Sequence, residues 1–420
     1  MALGGDILLI HGRPFMNMSR AKPTGSALIH RLFSFLILGL TLTAAEAEGR
    51  VVKYQNRDAW QLDGKELRVT VMQGGGHVAE IVLKGNPAVN PLWLPATPTI
   101  DPTEFDAGKH EKLFGGGPAA RLMSGLLGHN LCFPYWGDPS ESEYKAGMTY
   151  HGETGIVRWK KLSENYSGTS AEIKLAADLT ESRTRFVRTL SIVSREPVVY
   201  FEEQAENLTA LDRPVGWCEH VTVGPPFLKK AVTVFDASLT RGRNYDSQSG
   251  AEFQWPMGKA EVAVDLRSVR NVESSGFVNN FLVDPTRQYG YFTAVNPELR
   301  LVFGYLFPRT DFRWLNLWEA NTPAGNSQPA MLTRGMEFSN TPTHGSMKTF
   351  VKAPTVFDVQ AFEWLDAKSS LVKRYCAFIA RVPEEFSGVQ DIKVEKDHLE
   401  IVERGKGRVI NLPFQRERLE

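Results

Sequence analysis

Two stretches near residue 140 combine histidine, amide, carboxylate and aromatic side chains at close spacing. "LLGHNLCFPYWGDPSES" contains His129 and Asn130 just before a Phe-Pro-Tyr-Trp-Gly run that includes Trp136. "MTYHGETGIVRW" follows, with His151 and Glu153 on either side of a glycine. A hydrophobic core rarely needs His-Gly-Glu in a row, so this spacing indicates a site that uses polar side chains.

Two later stretches repeat this combination. In "NLTALDRPVGWCEHVTVGPPFL", His220 follows Trp217 and a glutamate, and in "LTRGMEFSNTP", Glu337 lies among apolar residues. An imidazole, with a pKa of about 6.5, and a carboxylate, ionised at neutral pH, are suited to general acid–base catalysis. Each stretch alone also fits a structural role. Their occurrence together favours one site that exchanges protons with a ligand.

The same residues permit a second chemistry, because two histidines and a glutamate can bind a transition metal. His129, His151, Glu153 and His220 would then supply the ligands of a metal-dependent β-barrel enzyme. Their spacing matches no cupin pattern, so we expect no metal and no other cofactor. The metal enzyme remains an alternative at this point.

The rest of the chain, from about residue 52, alternates apolar and polar residues with a period of two. "KELRVTVM", "TRFVRTLSIV", "YGYFTAV" and "LRLVFGYLF" are typical examples. Many short strands and few helices predict an all-β domain, a large antiparallel sandwich or a barrel. The chain has no internal repeat of fixed period, which argues against a propeller. No Pro/Ser/Gly-rich linker divides it. We therefore expect a single domain over residues 52–420.

Three segments depart from this alternation. Residues 95–125 read as a long irregular loop, and "WLDAKSSLVKRYCAFIA" has the apolar spacing of a helix. "IKVEKDHLEIVERGKGRVINL" reads as charged hairpins that pack on the edge of the sandwich.

Composition excludes several classes of partner. Lys plus Arg and Asp plus Glu are equal at 48 each, which gives no electrostatic case for binding nucleic acid or an anionic membrane. The three cysteines, Cys132, Cys218 and Cys376, lack metal-finger spacing and are expected to be buried free thiols, with one disulfide as the alternative.

The N-terminal segment resembles an export signal rather than part of a fold. "RLFSFLILGLTLTAAEAEGR" has a basic flank at Arg31, a short apolar run and an Ala-x-Ala exit at Ala45 and Ala47. We expect residues 1–47 to comprise this signal and an upstream segment, with Met18 as an alternative start. The mature protein would be periplasmic or secreted. A membrane anchor is the competing interpretation.

The order of these motifs resembles the aldose 1-epimerase family, the galactose mutarotase-like β-sandwiches. "RTLSIVSREPVVYFEEQAENLTALDRPVGWCEHVTVGPPFL" is similar to the family's strand, Asn-Leu turn, hairpin and histidine-bearing strand. "CFPYWGDPSESEYKAGMTYHGETGIVRW" resembles its Pro-x-x-Gly and His-Gly segments, and "GGGHVAEIVLKG" its glycine-rich hairpin. The resemblance covers most of residues 55–380. It implies an antiparallel supersandwich that interconverts sugar anomers.

The resemblance also implies roles for individual residues. His220 matches the catalytic acid, Glu337 the catalytic base, and His151 a histidine that contacts the sugar. We expect Asn130, His129, Glu153, Trp136 and Trp217 to complete the sugar site.

The chain departs from the family pattern at two positions. The substrate-binding Asp should fall near "SGFVNNFLV", where this chain has Val278, Asn279 and Asn280. The Arg expected before the Pro-x-x-Gly corner is replaced by His129 and Asn130. Loss of this Arg weakens the case for a phosphorylated sugar, which needs a fixed cationic fork.

Because of these departures, a non-catalytic carbohydrate-binding sandwich is the main alternative. The tryptophans could then supply stacking platforms for a sugar. A more remote alternative is a polysaccharide lyase or hydrolase that uses a related β-sandwich. In each case the expected partner is a carbohydrate, and the protein is expected to be a monomer or homodimer.

Overall fold

The computed structural model describes residues 48–244, 252–259, 263–325 and 330–420. The expected export signal at residues 1–47 lies outside these ranges. Within them, no helix is both long enough and apolar enough to cross a membrane.

Short antiparallel strands make up about half of the described residues. In the first half they are β1 (Glu48–Tyr54), β2 (Arg57–Asp63), β3 (Leu67–Met72), β4 (Val78–Leu83), β5 (His129–Cys132), β6 (Lys160–Ser167), β7 (Ser170–Leu179), β8 (Thr184–Val193), β9 (Val198–Asn207), β10 (Arg213–Val215) and β11 (Cys218–Val223). Next come β12 (Val234–Ala237), β13 (Leu239–Asn244), β14 (Glu252–Gln254), β15 (Met257–Lys259), β16 (Ala263–Asp265), β17 (Ser275–Val283), β18 (Tyr289–Asn296), β19 (Leu301–Pro308), β20 (Trp314–Thr322) and β21 (Met331–Ser339). The last are β22 (Thr355–Val356), β23 (Val359–Gln360), β24 (Glu363–Leu365), β25 (Ser370–Arg381), β26 (Val389–Val394), β27 (His398–Glu403) and β28 (Val409–Pro413).

Helices in the described part are short and lie between strands. They are α1 (Ala107–Phe114), α2 (Ala120–Gly125), α3 (Glu141–Lys145) and α4 (Met347–Lys352), with 3₁₀ turns at Pro102–Glu104 and Arg416–Arg418. The segment expected to be irregular, residues 95–125, therefore contains a 3₁₀ turn, α1 and α2. Asp106 caps α1 by accepting the backbone N–H of Gly108, a local signal that the sequence interpretation overlooked.

Two large sheets pack face to face. One has eleven strands in the order β1-β2-β3-β4-β5-β11-β21-β20-β17-β13-β14, and the other has eight in the order β12-β18-β19-β25-β9-β8-β7-β6. Their facing side chains form one continuous core, to which β11 contributes Val221 and Val223, and β25 contributes Tyr375 and Ile379. The prediction of an all-β antiparallel sandwich is confirmed.

The segment that was expected to be helical is instead the strand β25, which lies between β19 and β9. Its alternate residues Tyr375, Ala377 and Ile379 face the sandwich core. Cys376 and Phe378 face the other way, into a second apolar cluster. Because both faces of this strand are buried, apolar residues occupy consecutive positions and mask the period of two.

The second cluster lies under a three-stranded sheet formed by β26, β27 and β28. Leu399, Ile401 and Leu412 of this small sheet pack with Cys376 and Phe378 of β25. The C-terminal hairpins thus cover a face of the eight-stranded sheet, where the sequence interpretation had expected them on an edge.

Candidate active site

A row of five polar side chains crosses the eleven-stranded sheet on the face turned away from the core. Asn130 of β5 pairs in register with His220 of β11. The β11–β21 register places His220 opposite Glu337, since Cys218 pairs with Ser339 and Thr222 with Gly335. Glu337 pairs with Asn316, which pairs with Asn280. Directly paired residues share a face, so we call these five residues the polar row.

His220 and Glu337 lie at the centre of the polar row. His220 Nε2 lies 2.9 Å from Glu337 Oε1, and Nδ1 lies 3.3 Å from the hydroxyl of Thr222. Glu337 is fully buried, and neither of its oxygens has an aligned hydrogen bond from any described residue. An unsatisfied buried carboxylate is costly, so these oxygens are available acceptors for a ligand.

His151 approaches the row from the loop between α3 and β6. Its ring centroid lies 5.1 Å from that of His220. Its backbone has φ +64°, and the following Gly152 has φ +81°, two left-handed residues that turn the chain beside Phe133. This turn explains the His-Gly pair: with a Cβ, Gly152 would come within 2.1 Å of the Phe133 carbonyl oxygen.

The tautomer of His151 is fixed by its partner. Nδ1 accepts the backbone N–H of Gly137 at 2.8 Å. Burial, followed by the nearby His220 and His344, holds the pKa of His151 well below its usual value. A neutral imidazole whose Nδ1 accepts must carry its proton on Nε2, so His151 presents a donor.

His344, which the sequence interpretation missed, completes a group of aromatic rings around His151. Its centroid lies 5.8 Å from that of His151 and 4.7 Å from that of Trp136. Tyr150 Oη lies 3.1 Å from His344 Nε2. Burial lowers the pKa of His344 to about 4. The signal was present, because "THGSM" repeats the His-Gly pair of residues 151 and 152.

Trp136 forms one wall of this group. Its ring is parallel to that of His151, with an interplanar angle of 2° and centroids 6.5 Å apart. It is almost fully buried, and its indole N–H has no hydrogen-bond partner among the described residues. This N–H is therefore a second available donor beside His151.

Trp318 of β20 forms the opposite wall, 5.8 Å from the His220 ring. It pairs with Gly335 of β21, where an added Cβ would lie 1.8 Å from the indole nitrogen. The absence of a side chain at Gly335 thus lets the indole lie across β21 beside His220. Its N–H also lacks a hydrogen-bond partner in the described part of the chain.

Asn130 and Asn280 lie on either side of this centre. Asn280 donates to Asn316 at 2.7 Å. The Oδ1 atoms of Asn130 and Asn280 are buried and accept no hydrogen bond from the described residues. The polar row therefore presents acceptors, and the tryptophans and His151 present donors, which together suit the hydroxyl groups of a polyhydroxylated ligand.

Two residues expected in this site lie on the opposite face of the sheet. His129 is fully buried, 2.7 Å from Glu219 Oε2 and 3.0 Å from the hydroxyl of Tyr305. Trp217 packs in the core and donates its indole N–H to Glu219 Oε1 at 2.7 Å. Because neighbours in a strand alternate faces, Asn130 and His220 point to the site while His129 and Glu219 point to the core. The assignment of His129 and Trp217 to the sugar site was therefore wrong.

Glu153 was also misassigned. Its carboxylate accepts the backbone N–H groups of Glu181 and Ser182, at 2.9 and 2.7 Å. It therefore anchors the turn between β7 and β8 and does not orient a sugar.

The geometry offers no support for the metal-enzyme alternative. In the described ranges, no three His, Cys, Asp or Glu side chains are grouped so that they could hold a metal ion. His129 and His220 of the expected ligand set lie on opposite faces of the sheet.

Comparison with solved structures supports the architecture. No family model matches the chain, and no curated protein matches its sequence. A protein from Klebsiella pneumoniae, titled a "putative aldose 1-epimerase", matches with a TM-score of 0.57 at 13% identity, over 80% of this chain and 83% of its own. A galactose mutarotase-like protein from Clostridium acetobutylicum gives 0.57 at 12% identity, over 80% and 99%.

A galactose mutarotase related enzyme from Lactobacillus acidophilus gives a TM-score of 0.50 at 8% identity, over 78% of this chain and 99% of its own. At such identities a match shows the fold alone. The chain has the galactose mutarotase-like fold, as the resemblance implied.

Proposed function

We propose that this protein is an aldose 1-epimerase, which interconverts the anomers of a reducing sugar by general acid–base catalysis. The observation that carries the proposal is the buried His220–Glu337 pair, whose carboxylate has no aligned hydrogen bond from the described residues. The surrounding donors and acceptors suit sugar hydroxyls, and the two indole walls suit the apolar faces of a sugar ring.

The reaction needs one base and one acid at a hemiacetal. Glu337 takes the proton from the C1 hydroxyl while His220 protonates the ring oxygen, and the bond between C1 and the ring oxygen breaks. After rotation about C1–C2, His220 takes that proton back and Glu337 returns its own as the ring closes on the other face. Both oxygens are bonded to C1, so an acid and a base 2.9 Å apart can reach them together.

The other groups bind and orient the sugar. The Nε2–H of His151 and the indole N–H of Trp136 donate to its oxygens, and the amide oxygens of Asn130 and Asn280 accept from its hydroxyls. Trp318 covers one face of the ring beside His220. We place His344 next to His151 as a further contact, because the two rings lie in the same aromatic group.

Polarimetry on freshly dissolved anomers across a panel of aldoses tests the proposal. The protein should accelerate anomer exchange on at least one aldose, and Glu337→Gln and His220→Asn should each abolish most of this acceleration. Glu298→Gln and His398→Asn are matched controls, because both residues lie on the surface away from the polar row. Native rates in Glu337→Gln would refute the catalytic assignment.

One observation favours a second function, carbohydrate binding without catalysis. Amides occupy positions in the polar row where the resembled family has charged residues, and amides bind sugars well but transfer no protons. In that case the protein would bind aldoses, seen as a change in tryptophan fluorescence, and accelerate the exchange of none.

A further inference from the structure

The polar row ends at an arginine that has no anionic partner among the described residues. Arg243 of β13 pairs in register with Asn280, so it extends the row by one strand on the same face. It is half-buried, and its Nε–H is buried with no acceptor among the described residues. No carboxylate in those ranges forms an ion pair with it.

The nearest carboxylate by register, Glu252 of β14, is engaged elsewhere. Glu252 lies opposite Arg243 in the β13–β14 pair. It binds Arg241 instead, with oxygen–nitrogen distances of 2.8 and 2.9 Å. Removing a guanidinium from water without a counter-ion is unfavourable, so a ligand anion is the natural partner for Arg243.

The distance from Arg243 to the catalytic pair suits a single sugar. Glu337 on β21 and Arg243 on β13 are separated by three strand spacings, roughly 14 Å between backbones. Both side chains rise from the same face, and the arginine side chain is long enough to lean towards the centre of the row. With C1 at Glu337, the guanidinium would meet the substituent at the far end of the ring.

From these observations we propose that the preferred substrate is a hexuronate, an aldose whose C6 is a carboxylate, and that Arg243 binds this carboxylate. This inference rests on the proposed function and specifies its substrate class. A single planar guanidinium matches a carboxylate with two parallel hydrogen bonds. A phosphate, with close to two negative charges, would meet only this one cation among the described residues of the row. Asn280, whose Oδ1 accepts no hydrogen bond from the described residues, lies beside Arg243 and can accept from the neighbouring hydroxyl.

The test compares kcat/KM for anomer exchange on sugars that differ only at C6: glucuronate, glucose and glucose 6-phosphate, and galacturonate with galactose. We expect wild type to favour a uronate over its neutral counterpart by about 10- to 100-fold, the range of a charged hydrogen-bonded pair. Arg243→Gln should reduce that ratio to near one, and Arg243→Lys should keep part of it. Arg185→Gln is the matched control, because Arg185 is an exposed arginine on β8 of the other sheet.

Several results would overturn the inference: preference for the neutral sugar or the phosphate ester, or an unchanged ratio in Arg243→Gln. Calorimetric titration of glucuronate and glucose separates this failure from failure of the proposed function. If no aldose is exchanged but glucuronate binds more tightly than glucose and Arg243→Gln removes the difference, the acid–base function is wrong and the uronate site stands. If glucuronate does not bind, or binds no better than glucose, the uronate site is wrong.

Discussion

Strand β11 places two histidine–glutamate pairs on opposite faces of one sheet. On the core face, Glu219 lies 2.7 Å from His129, accepts the indole N–H of Trp217 and accepts the hydroxyl of Tyr375 at 3.1 Å. On the other face, the next residue, His220, lies 2.9 Å from Glu337. The two pairs have the same residue types, similar separations and complete burial of the carboxylate.

The two pairs differ in how the carboxylate is satisfied. Three side chains supply hydrogen bonds to Glu219, whereas no described residue supplies an aligned one to Glu337. A satisfied buried carboxylate contributes to a specific core, and an unsatisfied one weakens the fold unless a ligand completes it. The difference teaches that hydrogen-bond satisfaction, rather than residue type or burial, distinguishes the candidate catalytic pair from the structural one.

The largest effect is expected at Glu337. Glu337→Gln keeps the shape of the side chain but removes the base, so kcat should fall by about 10²- to 10⁴-fold. Folding stability should change little, because the amide has the same shape and its oxygen can keep the contact with His220. Polarimetry and urea denaturation measure the two quantities. A loss of stability with unchanged kcat would reverse the roles given to the two pairs.

The matching experiment on the core face is Glu219→Gln, which should lower stability by about 3 kcal/mol. The amide nitrogen cannot accept the hydrogen bonds that the carboxylate oxygen accepted, and Arg188 keeps only Glu203 as a nearby carboxyl group among the described residues. Arg188 Nη2 lies 3.9 Å from Glu219 Oε2, so this carboxylate also contributes to balancing a fully buried guanidinium. The midpoint of urea denaturation measures the loss. Under conditions where the variant is folded, its KM for sugar should match that of wild type.

The sequence identified the residue types of the site but not the face on which each lies. His151, His220, Glu337, Asn130 and Trp136 converge in the structure, and their roles stay predictions. His129 and Trp217 were misplaced because adjacent strand residues point in opposite directions, and only the register between distant strands decides which one faces the core.

Other features depended on contacts between distant parts of the chain. The strand β25 has apolar residues on both sides because the C-terminal sheet covers its outer face. Nothing in its local pattern shows that cover, so it resembled a helix. Trp318 reaches His220 only because β20 and β21 place it over Gly335, a pairing that the sequence does not encode locally.

The free energy of unfolding should depend on pH, because buried titratable side chains lie on both faces of the eleven-stranded sheet. Burial, as the largest effect, holds the pKa of His129 and His151 well below 6.5, and it lowers the pKa of His344 to about 4 and that of His77 to about 3. These groups are neutral when folded but take up protons when unfolded, so they weaken the fold as the pH falls below about 6.5.

Glu203 acts in the opposite sense, since burial, opposed by Arg188 and reinforced by Glu219, raises its pKa to about 8. It is protonated when folded but ionised when unfolded between about pH 4.3 and 8, so its contribution falls as the pH rises through that window. Stability should therefore peak near pH 6.5 and fall by about 3 kcal/mol by pH 5.5, where four histidines outweigh one glutamate. Urea denaturation from pH 5 to 9 measures this, and Glu203→Gln should remove the decline towards pH 8 and steepen the fall below pH 6.5.

The smallest expected effects compare two tryptophans. The indole N–H of Trp217 donates to Glu219, and that of Trp318 has no partner among the described residues. Trp318→Phe keeps an aromatic wall but removes a donor to the sugar, so KM should rise about 2- to 10-fold, the range of one hydrogen bond, with little change in stability. Trp217→Phe should instead lower stability by about 1 kcal/mol and leave KM unchanged, because its donor serves only the core. Steady-state kinetics and urea denaturation on both variants decide the matter. Equal KM values for the two would show that the free indole N–H beside His220 does not contact the sugar.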